Sequence, residues 1–469
     1  MKITGRIWSS LLLFGLIGQI AWVIENMYFN VFLYKTVTYD PNAVAIMVAA
    51  SGVVAAVTTL VMGGLSDRIG RRRHFISCGF VVWGLTIMVF ALISKQNTAK
   101  WFGLTDTGKI VAATVAIIVV MDCVMTFFGS TASDSSFTAW TTDVTVPANR
   151  GRVDGVLSAM PLVAMLVVFG ALDGLTQNGN WTLFFMIVGG AVSVSGLVGV
   201  ALIRDAPDLK PAPSGYFKEL IQGFRPSIIR QNWVLYLIFL AVCVYSTGQQ
   251  VWMPYLLVYI QYGLGIVSYV IPLAILLILS AVVSILGGRL ADKLGKPRLL
   301  IPCAALTVVG LLLVYVQGKV FAGTPSIANQ VSIVIGGTVM MGGGLLLFAL
   351  LNAAGRDVTP ERQRGHFSGI RMIFSVLIPM VIGPFIGSAI IRSAPTYQDE
   401  FGATQYIPNP GIFLGAAIVS LLLFIPLAWV VRALRKAPTT PASLVDAPSG
   451  SQPGVPNQLP EKVEPSSKK

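Results

Sequence analysis

The chain has 469 residues, 55% of them hydrophobic and 11% charged, with a mean hydropathy of +0.76. Soluble domains carry about a quarter charged residues, so an ordinary soluble protein is excluded. In a soluble chain the net charge of +13 would suggest nucleic acid; in one this apolar it points to basic loops held on one side of a bilayer, and no nucleic-acid partner is expected.

The first run, MKITGRIWSSLLLFGLIGQIAW, opens like a signal peptide, with Lys2 and Arg6 ahead of apolar residues. It is too long and has no clear small-residue cleavage site, so it reads as the first membrane helix. Windows of about 20 residues then predict twelve helices, over 8–34, 43–62, 75–93, 110–140, 155–173, 181–203, 233–260, 266–290, 298–318, 331–354, 367–391 and 411–432. Several exceed the minimum span and must tilt or project.

Lys and Arg divide the loops into two sets. One side carries Lys2, Arg6, Arg68, Arg71, Arg72, Arg73, Arg150, Arg152, Arg204 and their counterparts in the second half, through Arg435 and Lys436. The other carries only Lys35, Lys95, Lys100, Lys109, Lys319 and Arg392. The positive-inside rule makes the first side cytoplasmic, with both termini there. The expected location is a cytoplasmic membrane, with the lipid bilayer as partner. Residues 204–232, with Pro207, Pro211 and Pro213, read as an interfacial linker, and 437–469 as a disordered cytoplasmic tail. Cys78, Cys123, Cys243 and Cys303 all fall in apolar runs, have no metal-ligand spacing, and read as small buried hydrophobes.

The chain repeats. Aligning Asp67 with Asp292 brings Gly63, Leu65, Ile69, Gly70, Arg71 and Arg73 onto Gly288, Leu290, Leu294, Gly295, Lys296 and Arg298. Aligning Asp143 with Asp357 matches DVTVPANRGRVDG to DVTPERQRGHFSG. Each block follows the second or fourth helix of its half. The expected domains are therefore six-helix bundles over 1–203 and 233–436, arranged as parallel repeats, with solute bound near the midplane between them.

The pattern G-x-L-x-D-R-x-G-R-R, carried by Gly63, Leu65, Asp67, Arg68, Gly70, Arg71 and Arg72, resembles the signature loop of the major facilitator superfamily, over about residues 5–435. The second copy departs from it at Arg289 and Pro297. The block from Asp143 to Gly155 and the long fourth helix resemble the sugar–cation symporter branch, the melibiose-permease-like and sucrose-transporter-like proteins. The resemblance implies an all-α fold of twelve helices in two pseudo-symmetric bundles. It also implies a cytoplasmic latch that joins the halves when the protein is open outward. Asp67, Arg68 and Arg71 are the gating candidates, with Asp292 and Arg298 as weaker counterparts and Arg150 and Arg364 as partners. Gly63 and Gly70 allow tight turning and close helix approach.

Ionisable groups inside the bilayer are costly and mark function by default. In helix 1, Gly18, Trp22, Glu25, Asn26 and Phe29 fall on one face at a 3.6-residue period. Helix 4 carries Asp122 and Asp134, about 18 Å apart along an ideal helix, with hydroxyl side chains around Asp134. Glu25, Asp122 and Asp134 are the coupling candidates; each alternatively serves as a solvated interface residue or a helix–helix hydrogen bond. Burial makes a carboxylate's charge costly, so it can take up and release a proton as a cavity opens and closes. Helix 2 offers only Ser51, Thr58 and Thr59, where melibiose-permease-like symporters carry acidic sodium ligands, which favours a proton over sodium.

Trp22 and Asn26, together with Tyr245, Gln249, Gln250 and Trp252 on helix 7 and Asn352 on helix 10, are the solute-binding candidates. Amides suit hydroxyls and aromatic rings suit an apolar sugar face, although interface-belt aromatics have the same composition. Arg371 is either an interface charge or a gate residue, and Gly342, Gly343 and Gly344 suit close packing. No Walker loop, H-E-x-x-H or G-x-S-x-G is present. A cofactor-free, non-enzymatic secondary transporter acting as a monomer is expected. The open choice lies between proton- or cation-coupled uptake of a sugar-like solute and proton-coupled efflux of amphipathic compounds.

Overall fold

The computed structural model describes residues 4–205, 224–321, 323–324, 326–359, 364–394, 397–398 and 404–436. Among these residues, twelve helices are long and apolar enough to cross a membrane. In chain order they are α1 Gly5–Thr36, α2 Pro41–Ile69, α3 Arg72–Leu92, α4 Thr107–Asp143, α5 Gly151–Gln177 and α6 Trp181–Leu202. The second six are α7 Trp233–Gly263, α8 Val270–Leu294, α9 Lys296–Phe321, α10 Ile327–Val358, α11 Gly369–Arg392 and α12 Gly411–Arg435. Most of the linker and all of the tail (206–223 and 437–469) lie outside the described residues, as do the side chains of Arg150 and Arg364.

Local chemistry sets the helix ends. Asp40, Asp106 and Ser326 cap α2, α4 and α10 by accepting a backbone N–H in the first turn, satisfying donors that have no partner inside the helix. Pro41 follows at the first position of α2, where its missing N–H costs nothing. At the other end, α2 and α8 stop at Gly70 and Gly295, both with positive φ (67° and 88°). Only glycine takes that conformation without steric cost, and the same device ends the second helix of each half.

Contacts repeat as the sequence does. In the first bundle α1 packs on α5, α2 on α4, and α3 on α6; in the second the matching pairs are α7–α11, α8–α10 and α9–α12. The fold is therefore two pseudo-symmetric six-helix bundles. They meet mainly along α2–α11, with smaller contacts between α1 and α7 and, in the position symmetric to α2–α11, between α5 and α8.

Several expectations need correction. α2 runs to Ile69, so Gly63–Ile69 forms its final turns and not a loop. A Cβ built on Gly63 would touch nothing closer than Ser135 Cβ at 3.9 Å. Gly63 therefore does not serve close helix approach, unlike Gly344, where an added Cβ would sit 2.7 Å from the Tyr245 hydroxyl. Cys78 is exposed on the outer surface of its bundle and Cys123 is half-buried, while Cys243 and Cys303 are buried as expected. Finally, α1 is interrupted by a π-turn at Ile24–Tyr28. Beyond it Phe29 packs on Phe90 (centroids 4.1 Å apart) and edge-on to Phe185, on the side of α1 from which Trp22 packs on Trp83, also of α3.

Candidate functional site

The candidate residues fall into four groups between the basic face, where the Arg-rich loops lie, and the opposite, far face.

At the basic face, Arg72 is the centre. Its side chain is 7% exposed, pairs with Asp67 Oδ1 at 2.5 Å, and donates through Nε to Asp143 Oδ2 at 3.1 Å. A further bond from Nη1 reaches Ser66 Oγ at 2.6 Å. One guanidinium thus ties the end of α2 to the end of α4, using the fork geometry that only Arg offers. The second half repeats the tie in weaker form: Lys296, at the start of α9, pairs with Asp357 at the end of α10. The two blocks aligned by sequence are bonded to each other in both bundles. Arg68 and Arg71 are exposed and take part in no ion pair among the described residues, and the same holds for Asp292 and Arg298. Among the described residues, the ion-pair partners of Asp67 and Arg72 lie within the first bundle; the expected partners Arg150 and Arg364 have side chains outside the described residues. The aligned position of Arg72 is Pro297, which hid its importance from a repeat-based reading.

Deeper in the first bundle, Glu25 of α1 faces α4 near enough to act electrostatically on both Asp122 and Asp134. Glu25 is buried and accepts a bond from Thr126 Oγ1 at 2.8 Å. Its strongest charged neighbour is Asp122, followed by Asp134. Asp122 is buried beside Ser51 of α2, with Oδ1 unbonded among the described residues. Asp134 is half-buried, accepts from Ser130 Oγ at 3.2 Å, and lies near the Trp22 indole N–H, which stops short of good hydrogen-bond geometry. Glu25 and Asp134 both sit in π-turns, Ile24–Tyr28 and Ser130–Phe137, a distortion common at functional sites. No Lys or Arg pairs with any of the three among the described residues.

The solute-binding candidates do not share one site. Tyr245, Gln249 and Trp252 line a recess of about 30 Å³ inside the second bundle, with Thr307, Met340 and Ser420. Gln250 packs against Gly383 of α11. Asn26 donates to Trp22 O within α1, and the Trp22 ring packs on Trp83. Only Asn352 lines the large cavity, about 500 Å³, at the basic-face end between the bundles. That cavity is also lined by Thr142 and Asp154 from the first bundle and Ile238, Phe239, Arg356 and Arg371 from the second.

The far face is sealed. Ser388 donates to Asn42 Oδ1 at 2.5 Å and Tyr34 to Tyr406 O at 2.7 Å, each bond crossing between bundles, and the Tyr255 hydroxyl, which donates to Pro384 O at 2.8 Å, lies 3.2 Å from Pro41 O across the same seam. The strongest closure was not anticipated. Asp173 of α5, fully buried, accepts at Oδ1 from Tyr28 at 2.8 Å and from Tyr269, just before α8, at 2.5 Å. Gln177 donates to its other oxygen. Asp173 was visible only as the end of a predicted helix; its partners are 145 and 96 residues away. Asp173→Ala should loosen this seal, since a charged hydrogen bond contributes about 1.5 kcal/mol or more. Spin labels at the far-face ends of α4 and α8 should then report a roughly tenfold larger far-open population. An unchanged distance distribution would show that Asp173 does not hold the bundles together.

This geometry, two like bundles sealed at one face and parted at the other, is that of an alternating-access carrier. The major facilitator superfamily family profile matches residues 11–328 and 273–459. The chain belongs to the major facilitator superfamily. It is therefore a secondary transporter of small solutes. Its structure is similar to that of a bacterial homologue of the human lysosomal transporter Spinster in an inward-facing, occupied conformation: 16% identity, 92% of this chain and 97% of that one, TM-score 0.63. The inward-facing, unoccupied form matches with 15% identity, 92% and 98% coverage and a TM-score of 0.63. A variant of the nucleoside transporter NupG matches with 12% identity, 90% and 99% coverage and a TM-score of 0.65. No protein of curated function matches the sequence.

Proposed function

We propose that this superfamily member is a proton-coupled symporter of the cytoplasmic membrane that takes up a small polar organic solute as a monomer. The basic face is cytoplasmic, and the conformation described is open inward. The observation that carries this reading is buried Glu25 of α1, near enough to both Asp122 and Asp134 of α4 to act on each electrostatically, with no cationic partner for any of the three among the described residues. Several negative charges in one low-dielectric region repel one another, so occupancy by a proton stabilises the group. A sodium ion would need several converging oxygen ligands, and no cluster of three metal-ligating side chains occurs among the described residues.

A sugar-like solute, as in the sugar–cation symporter branch, is supported by the amides and rings of Gln249, Gln250 and Trp252 near the middle of α7. A second reading, efflux of amphipathic compounds, is favoured by the apolar wall of the large cavity, formed by Ile238, Phe239, Val242, Leu351 and Phe367. Uptake of radiolabelled sugars into proteoliposomes under an imposed pH gradient separates them. Accumulation should follow the proton gradient and collapse with a protonophore. Accumulation that ignored the pH gradient and followed sodium would overturn proton coupling, and proton-driven expulsion of amphipathic dyes without sugar uptake would favour the second reading.

A further inference from the structure

We propose that Arg371 and Arg356 form an anion-recognising subsite in the inter-bundle cavity, so that the transported solute carries a carboxylate or phosphate group. The proposal rests on the reading of that cavity as the solute path. Both guanidinium-bearing residues line the same space of about 500 Å³. Arg356 is near enough to act electrostatically on Arg371. Arg371 donates from Nη1 to Asn352 Oδ1 at 3.3 Å, and Asn352 is itself held by a bond from Nδ2 to Phe348 O at 2.9 Å. This chain of bonds orients Arg371 without neutralising it. Neither arginine has an ion-pair partner among the described residues.

Two like charges facing one cavity repel, and the apolar wall beside them weakens solvent screening. The described lining offers one carboxylate, Asp154, from the opposite bundle, and it pairs with neither arginine. The described lining therefore carries an excess positive charge that a bound anion would relieve. Guanidinium forks match carboxylate and phosphate oxygens in geometry as well as charge. A π-turn at Ile373–Leu377 directly follows the α-helical turn bearing Arg371, and π-turns recur beside functional side chains in this chain as they do generally. The same cavity has room for the uncharged body of the solute against Ile238, Phe239 and Leu351.

The test uses the full chain in lipid nanodiscs, with Cys78, Cys123, Cys243 and Cys303 replaced by serine. Thr142→Cys is the reporter, because Thr142 is an exposed cavity-lining residue of the first bundle. Its rates with an anionic ethylsulfonate thiosulfonate and with the cationic trimethylammonium analogue are compared, each normalised to a free thiol. The anionic reagent should be favoured about tenfold. Arg371→Gln combined with Arg356→Gln should abolish that preference, whereas Arg371→Lys should keep most of it. Inorganic phosphate and acetate, at ionic strength matched with sodium chloride, should slow the anionic reagent saturably, and the stronger of the two identifies the preferred head group. Labelling with no anion preference, a preference unchanged in the double variant, or no protection by either anion would overturn the subsite alone. Failure of both reagents to reach Thr142→Cys would overturn the solute-path reading, and the subsite with it.

Discussion

Uphill accumulation should be lost in at least one of Glu25→Gln, Asp122→Asn and Asp134→Asn, while downhill exchange of solute survives. The three carboxylates share a region without a cation among the described residues, and an unpaired charge in hydrocarbon is a cost. Removing one should therefore leave folding largely intact. One proton moving down a gradient of one pH unit supplies about 1.4 kcal/mol, or roughly tenfold accumulation. That tenfold ratio should fall to passive equilibration in the coupling variant, because the solute contacts remain while the energetic link is cut. Asp134 is the best placed to exchange a proton with the solute path, since it alone of the three is not fully buried. Concentrative uptake in proteoliposomes is the measurement. If all three variants still concentrated solute with unaltered dependence on the pH gradient, the acids would be structural.

The second large effect is expected at Arg72. Arg72→Gln removes the single group that binds Asp67, Asp143 and Ser66. Breaking a buried ion pair by deleting one partner costs about 3–5 kcal/mol; here Asp67 is 40% exposed, so roughly 2–3 kcal/mol is expected after solvent screening. Arg72→Lys should recover part of the stability, because an ammonium reaches one carboxylate well but cannot fork to two. Arg68→Gln and Arg71→Gln, at exposed positions, should shift the melting temperature little. Asp67→Asn should slow transport strongly while leaving solute binding nearly unchanged, because Asp67 lies at the basic face, away from the midplane. Thermal unfolding of purified protein and initial transport rates at matched expression check both statements. Equal melting temperatures for Arg72→Gln and Arg71→Gln would show that the basic-face network carries no stability.

Twelve spans, two halves and one strongly basic side were determined by the sequence alone. Each rests on a local or periodic property: an apolar run long enough for a bilayer, a repeated block such as Gly63–Arg73 against Gly288–Arg298, and a count of Lys and Arg. Buried acids in apolar helices were legible for the same reason, since Glu25, Asp122 and Asp134 stand out against their neighbours. Which groups meet was decided by tertiary structure. Among the adjacent arginines 71 to 73, only Arg72 is turned inward to two carboxylates. The α7 amides and aromatics divided between a small recess and the α11 contact, since composition does not state which helix each face of α7 will meet. Asp173 acquired its role from Tyr28 and Tyr269, far away in the chain. Partners joined only by the packing of two bundles leave no local pattern, because nothing about either residue's neighbours depends on the other until the bundles close.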